Sequence, residues 1–274
     1  MLSFGSVVRV LTILFFCWLS LVSFIGKAIA VPEPLPEVIW TYQNRAGQNN
    51  TDQNSTGPDH WADLSPEFSA CSTGQSQSPI DLIPATTADL KNPSFHYKPV
   101  PLNLLNNGHT IQVSYAPGSY IEVEGKQYAL RQFHFHSPSE HTIEGQFQPA
   151  ELHLVHQSEA GELAVVAILL KTGTEGNNPA LDELSNYLPA KAGGKVRTGR
   201  TTDASALLPQ TTTTYRYSGS LTTPPCTESV SWLIMTEPVL LSAQQLSKYQ
   251  QLLGHNNRPV QLLNNRVVQL DNSP

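Results

Sequence analysis

The chain is short of charge, of basic residues and of cysteine, and each shortage narrows what it can be. Only 14% of its 274 residues are charged while 39% are hydrophobic, so it has too much to bury for a disordered protein, and one large core is within reach. Lysine and arginine number 16 against 22 aspartates and glutamates. Arg9 and Lys27 both fall in an amino-terminal stretch without an acid, and removing that stretch leaves 14 basic against 22 acidic residues, a formal charge of −8. An anionic surface of this kind has no basic patch on which a phosphate backbone could dock, which argues against nucleic acid and for a small partner. Of three cysteines, Cys17 lies in the same stretch, leaving Cys71 and Cys226. Two thiols do not make a cysteine-rich structural metal site; they pair as a disulfide in an oxidising compartment or stay as two buried free thiols. A bridge closing so long a loop would stabilise the fold by about 4 to 5 kcal/mol, less any strain.

The amino-terminal stretch itself is distinct. Val10 to Ile25 is nearly all apolar, and Ala28-Ile29-Ala30 has the small-x-small form of a cleavage site, so residues 1–30 read as a signal peptide. An uncleaved membrane anchor is the competing reading, although the run falls short of the ~20 residues that a span prefers. Either one implies export to a periplasmic or extracellular location, and cleavage would leave no membrane span. Residues 31–56, with three prolines between Val31 and Glu37 and a polar stretch from Gln43 to Gly57, form an extended lead-in.

From Gly57 onward, short apolar alternations are separated by turn signals such as Asn107-Gly108, Pro117-Gly118 and Glu124-Gly125, the pattern of many strands. Tyr120 to Glu124 and Tyr128 to His136 read as a hairpin, with further strands at Ala150 to His156 and Leu163 to Leu170. Two helices stand out: Pro179 to Leu188 with Asn178 as N-cap, and Ser242 to Leu253 ended by Gly254. No repeat and no second domain boundary interrupts the text, so 57–274 is expected to be one mainly β domain: a large twisted, mostly antiparallel central sheet with a few short peripheral helices.

Alternate strand residues share a face. In Gln132-Phe-His134-Phe-His136 the glutamine and both histidines therefore point one way and the phenylalanines the other; in Glu151-Leu-His153-Leu-Val155-His156 the glutamate, His153 and Val155 face away from the leucines. If the two strands are neighbours, His153 completes a set of three imidazoles, the ligand set of a catalytic zinc with one position left open. Gln132 and Glu151 are suited to accept the second N–H of a ligating ring. The same residues admit a rival, since His134-x-His136-x3-Glu140 also matches the spacing by which cupin barrels hold iron or manganese with a carboxylate ligand.

Ser220-Leu-Thr222-Thr223-Pro-Pro225 turns the comparison. With the two histidine strands, Leu105-Asn-Asn-Gly-His109, Gln77-Ser-Pro-Ile-Asp81, Ser139-Glu-His141 and Asn256-x-Arg258-Pro259, it resembles the α-class carbonic anhydrases over about residues 57 to 266. The resemblance implies reversible hydration of carbon dioxide to bicarbonate and a proton, with zinc on His134, His136 and His153 and zinc-bound hydroxide as nucleophile; carbonic anhydrases are themselves the standard example of a metal that makes water ionise near neutral pH. Gln132, Glu151 and the Asn256 backbone would support the ligands. Thr222 would accept a hydrogen bond from the hydroxide and donate to Glu140, with Tyr217 extending that network. The Thr222 N–H and Thr223 would hold bicarbonate, while Val155, Val165, Leu221, Val230 and Trp232 would form the apolar wall for carbon dioxide. His109 would be the proton shuttle, a task that suits imidazole, whereas His141 and His156 read as core or network histidines. Sulfonamides and anions are the expected inhibitors, a homodimer is compatible, and Cys71 and Cys226 match the bridge of exported members.

The sequence departs from animal members at Ser137-Pro138-Ser139 and Gln157 and resembles bacterial and plant ones. Thr110 stands after the shuttle where many members have alanine and bears on its swing or water chain. About ten extra polar residues separate Trp40-Thr-Tyr42 from Gly57-Pro58, leaving the reach of Tyr42 open. Domains of this fold also serve as catalytically silent binding modules, which usually lack a ligand histidine; here all three are present.

Overall fold

Strand-forming alternation governs most of the chain. In the computed structural model, which describes residues 38–43, 55–173 and 178–271, thirteen short strands join in one mixed sheet. The described residues all fall in one compact unit that starts at Val38; the leader and residues 31–37 and 44–54 of the lead-in lie outside them. Across the sheet the main path runs Thr86–Ala88, Gln269–Asp271, Thr214–Ser220, Glu228–Met235, Leu163–Thr172, Ala150–Gln157, Lys126–His136, Ile111–Ser114, Val100–Asn106 and Lys195–Thr202. Pairing is antiparallel except for three parallel ladders, Thr86–Ala88 with Gln269–Asp271, and Leu163–Thr172 with both Glu228–Met235 and Val239–Leu241.

The hairpin forms as expected: Tyr120–Val123 pairs with Lys126–His136 across a two-residue turn in which Glu124 (φ 52°) and Gly125 (φ 78°) both take the left-handed conformation that matches strand twist. Ser242 caps the helix Ala243–Leu253 through a capping box with Gln245. The other helix is shorter than its pattern, Pro179–Ser185, with the Asn178 side chain accepting from the Leu181 N–H. It stops three residues early because Asn186 and Tyr187 tighten onto the carbonyls of Glu183 and Leu184, and Pro189 keeps Leu188 out of helical conformation. Two single-turn helices, Trp61–Leu64 and Ala70–Thr73, have no periodicity by which a sequence could announce them.

The sheet separates two apolar layers. On one face Phe133, Phe135, Leu152, Leu154, Val166 and Ile168 are buried with Leu181, Leu246 and Tyr249 of the two helices, and Phe135 lies 4.6 Å from the Tyr249 ring. Burying each phenylalanine is worth about 1.5 to 3 kcal/mol, and this fixes the register of the strand that carries His134 and His136 on its other face. The opposite layer holds Ile80, Leu82, Val165, Tyr217, Val230 and Trp232. A third cluster surrounds the disulfide Cys71–Cys226 (Cα–Cα 5.1 Å) and contains Trp40, Tyr42, Trp61 and Phe68. The lead-in is thus not wholly separate from the domain: the Thr41 N–H donates to Thr56 O at 2.8 Å, and Trp61 Nε1 donates to Thr41 O at 2.9 Å. That backbone bond joins Thr41 to Thr56 and so holds the aromatic pair Trp40 and Tyr42 on the domain.

Candidate active site

Register decides the site. Lys126–His136 and Ala150–Gln157 pair antiparallel with His134 opposite His153 and His136 opposite Glu151, and this cross-strand placement brings the three rings together. Their centroids are 5.0, 5.3 and 4.6 Å apart, and one nitrogen from each lies within 4.8 Å of the others. Every ring is held by its remaining nitrogen: His134 Nδ1 by Gln132 Oε1 at 2.8 Å, His136 Nδ1 by the Asn256 carbonyl at 2.7 Å, and His153 Nε2 by Glu151 Oε1 at 2.8 Å. This leaves His134 Nε2, His136 Nε2 and His153 Nδ1 for a ligand. His136 Nε2 is buried with no protein partner, an arrangement that costs free energy unless something binds it. Burial, followed by the neighbouring imidazoles, holds His134 well below the usual imidazole range; burial pushes His136 down to about 4 and lowers His153. The rings are therefore neutral near pH 7, as metal ligands must be. The residues present fit a metal ion with three nitrogen ligands.

Glu151 is the hub behind them. Oε1 accepts from His153 and from His141 Nδ1 (2.7 Å), and Oε2 accepts the backbone N–H groups of Glu140 (2.8 Å) and His141 (2.9 Å). His141 continues through Nε2 to the Tyr217 hydroxyl at 2.7 Å, and that hydroxyl donates to Ser78 Oγ at 2.8 Å. Tyr217 thus hydrogen-bonds on the Glu151 side of the site, not through Thr222 and Glu140 as the resemblance implied. Ser78 also exchanges hydrogen bonds with Ser220 at 2.9 and 3.0 Å and so ties down the start of the Thr222 loop.

Glu140 is fully buried, and burial raises its carboxyl to about 7. Its Oε1 accepts the Arg258 N–H at 2.8 Å. Thr222, 5% exposed, lies close enough to favour the ionised form, although the pair falls short of hydrogen-bond geometry and Oε2 has no partner. Arg258, which sequence reasoning passed over as part of a motif, is 1% exposed; its guanidinium donates to Gln77 Oε1, Ser78 O and Cys71 O at 2.8 to 2.9 Å and lies over Trp61. It links the disulfide to the backbone that holds Glu140.

Val165, Val230 and Trp232 are buried in the layer on the histidine face, with Val155 and Leu221 packed against them half-buried. The Trp232 ring is 4.9 Å from His153, and its Nε1 donates to Ser220 O. Thr223 is half-buried, and its carbonyl accepts the Cys226 N–H at 2.8 Å, coupling the loop to the disulfide. Tyr42 does reach the site, its ring 6.3 Å from His136, with burial raising its hydroxyl well above the usual tyrosine range. His109 is stacked face to face on Trp40 at 3.6 Å and 4°. Thr110 turns its hydroxyl onto the Phe135 carbonyl at 2.6 Å, so it braces the strand that carries His134 and His136. Ser137 and Ser139 of the variant turn bond Asn256 Oδ1, Pro149 O and His141 O. His156 lies on the far face with Tyr97 Oη at 2.9 Å, a core histidine.

A mainly β fold whose central strands gather three braced imidazoles, each offering one nitrogen to a common point, carries a candidate metal centre. Comparison with known proteins makes this specific. The family model for eukaryotic-type carbonic anhydrase matches residues 56–272. A carbonic anhydrase of Nostoc sp. is 44% identical over 218 residues, covering 77% of this chain and 82% of that protein. Alpha carbonic anhydrase 4 of Arabidopsis thaliana is 36% identical, covering 77% and 81%. The solved structure of the α-carbonic anhydrase from Thermovibrio ammonificans with the inhibitor sulfanilamide matches with a TM-score of 0.78 at 42% identity, covering 85% of this chain and 99% of that one. The chain belongs to the α, or eukaryotic-type, carbonic anhydrase family. A cupin barrel, the rival reading of His134, His136 and Glu140, is not this fold.

Proposed function

We propose that this chain hydrates carbon dioxide reversibly to bicarbonate and a proton, with Zn2+ on His134, His136 and His153. The observation that carries the reading is the set of three imidazoles, each anchored by one nitrogen and offering the other, with the buried His136 Nε2 left without a protein partner. Zinc, when bound, supplies a Lewis acid that lets water ionise near neutral pH. Glu140, fixed by the Arg258 N–H, offers Oε2 to the Thr222 hydroxyl, which turns the Thr222 oxygen into an acceptor and so orients the attacking oxygen. The Thr222 N–H and Thr223 hold the product, and Val155, Val165, Leu221, Val230 and Trp232 exclude water from the substrate side. His109 takes the proton out. On the likeness to the Thermovibrio protein, sulfonamides bind the same site.

Export to the periplasm or the extracellular space is part of the reading. It is supported by the disulfide and by the apolar leader at 1–30 with its cleavage pattern; among the described residues no helix is long and apolar enough to cross a membrane. The domain proposed to do the work runs from 57 to 274, with Trp40 and Tyr42 packed onto it. Two measurements test the proposal. Stripping zinc with a chelator abolishes hydration and restoring it recovers activity; His109→Ala slows turnover and added imidazole restores part of it. Hydration that survives metal removal refutes the metal reading, and an unchanged His109→Ala rate removes the shuttle.

A further inference from the structure

A proton that reaches His109 must still leave, and the surroundings of that ring restrict how. Trp40 covers one face of the imidazole at 3.6 Å, and the Tyr42 ring stands 6.4 Å away at 75°. Beside them runs a groove of about 420 Å³ lined by Ile39, Trp40, Tyr42, His109, His255 and Asn256 among others. At about 30 Å³ per molecule it has room for roughly a dozen waters, enough for a hydrogen-bonded path. The titratable side chains on its wall are Tyr42, His109 and His255. Tyr42 is held in its neutral form by burial. That leaves two imidazoles, each with one ring nitrogen that can donate and one that can accept a proton.

The position of His255 follows from the end of a helix. Gly254 closes Ala243–Leu253 with a positive φ (61°) that favours glycine, after which Asn256 turns inward: its carbonyl accepts from His136 Nδ1 and its Nδ2 donates to His109 O at 3.0 Å. His255 is thereby fixed one residue from a bracket joining the metal strand to the shuttle loop, yet is itself exposed. It also borders a second cavity, walled by Ser137, Pro138, Pro149 and Gln250. His255 thus stands between the groove of His109 and this second cavity.

Resting on the proposed carbon dioxide hydration, we infer that His255 is a second proton-relay group, acting through His109 and passing protons along the groove to external buffer. One proton moves from the His109 imidazolium through groove water to His255 and from there to a buffer base, and both rings return to neutral. The residue touches neither substrate nor metal, so it governs the regeneration of the enzyme and not the attack on carbon dioxide.

The test uses the zinc-loaded enzyme and stopped-flow hydration at low and high buffer concentration for wild type, His109→Ala, His255→Ala and the double variant. The expected result is a kcat lowered about tenfold by His255→Ala at low buffer, less than the roughly hundredfold typical of a group acting directly on reacting atoms, with kcat/KM unchanged and kcat restored by concentrated imidazole. A residue with a merely structural role would not show that restoration. Because the relay is in series, the double variant should be no slower than His109→Ala. A His255→Ala kcat within about twofold of wild type at low buffer overturns the relay, as does a double variant slower than His109→Ala. Zinc-loaded wild type that hydrates nothing sinks the underlying reading and the relay with it, whereas slowing by His109→Ala and not by His255→Ala sinks the relay alone.

Discussion

Glu151→Gln tests the ligand geometry most sharply, because it keeps the shape of the hub and changes only what it accepts. The carboxylate takes four hydrogen bonds, two from imidazoles on Oε1 and two from backbone N–H groups on Oε2. Burial alone would raise its pKa, but His141 and His153 outweigh that and hold it well below the usual carboxylate range. An amide has one acceptor oxygen. If that oxygen keeps the two backbone N–H groups, the NH2 group faces His153 Nε2 and forces that nitrogen to become the acceptor. The proton then moves to Nδ1, the atom that should face the metal, and blocks it. The reverse orientation opposes the NH2 group to two backbone donors at 2.8 and 2.9 Å. Loss of an outer partner of a ligating histidine typically costs ten- to a hundredfold in metal affinity, about 1.4 to 2.7 kcal/mol. Zinc affinity measured by chelator competition at pH 7 should therefore drop by about that factor. A variant that binds zinc within about threefold of wild type would show that His153 does not depend on Glu151 for its tautomer.

Two further outcomes follow from the fold. Removing the bridge with Cys71→Ala and Cys226→Ala, which opens a sequence separation of 155 residues, should lower unfolding free energy by about 4 to 5 kcal/mol in denaturant titration; a loss under about 1 kcal/mol would mean that Arg258 and the Trp61 cluster hold the termini of that loop unaided. His156, buried and depressed to about 3 by burial, stays neutral in the fold but takes a proton below about 6.5 when unfolded. Its contribution is complete above that pH and is lost as pH falls, at up to about 1.4 kcal/mol per pH unit. His156→Gln should flatten the fall in stability between pH 6.5 and 5 by that slope, and an unaltered slope would contradict the burial account.

The chemistry of the site was legible because it is written at period two. Phe133 and Phe135 had to enter a core, so His134 and His136 had to face the other way, and the same held for the leucines around His153. What no spacing could supply was the pairing of His134 with His153, which depends on long-range register and came to the reading only as a condition. Networks that leave their own strand were equally hidden. Tyr217 was assigned to Thr222 and Glu140 by resemblance, but its partners Ser78 and His141 are 139 and 76 residues away along the chain. Arg258, whose guanidinium satisfies oxygens of Cys71, Gln77 and Ser78 some 180 residues away along the chain, carries no local signature. Single-turn helices and the tightened end of Pro179–Ser185 were missed for the opposite reason, being too short for periodicity. The packing of Trp40 on His109 was hidden as those networks were, because it depends on the Thr41 to Thr56 bond across a polar stretch that carries no pairing signal.

The central claim is that the three imidazoles hold a zinc that hydrates carbon dioxide. The most direct measurement is stopped-flow carbon dioxide hydration by the oxidised chain from Val31, with its metal quantified and with a sulfonamide titrated in. The account predicts one zinc per chain, rapid hydration, and loss of activity as the sulfonamide reaches one equivalent per zinc. Full zinc occupancy without hydration would contradict it and leave a silent binding module of the same fold.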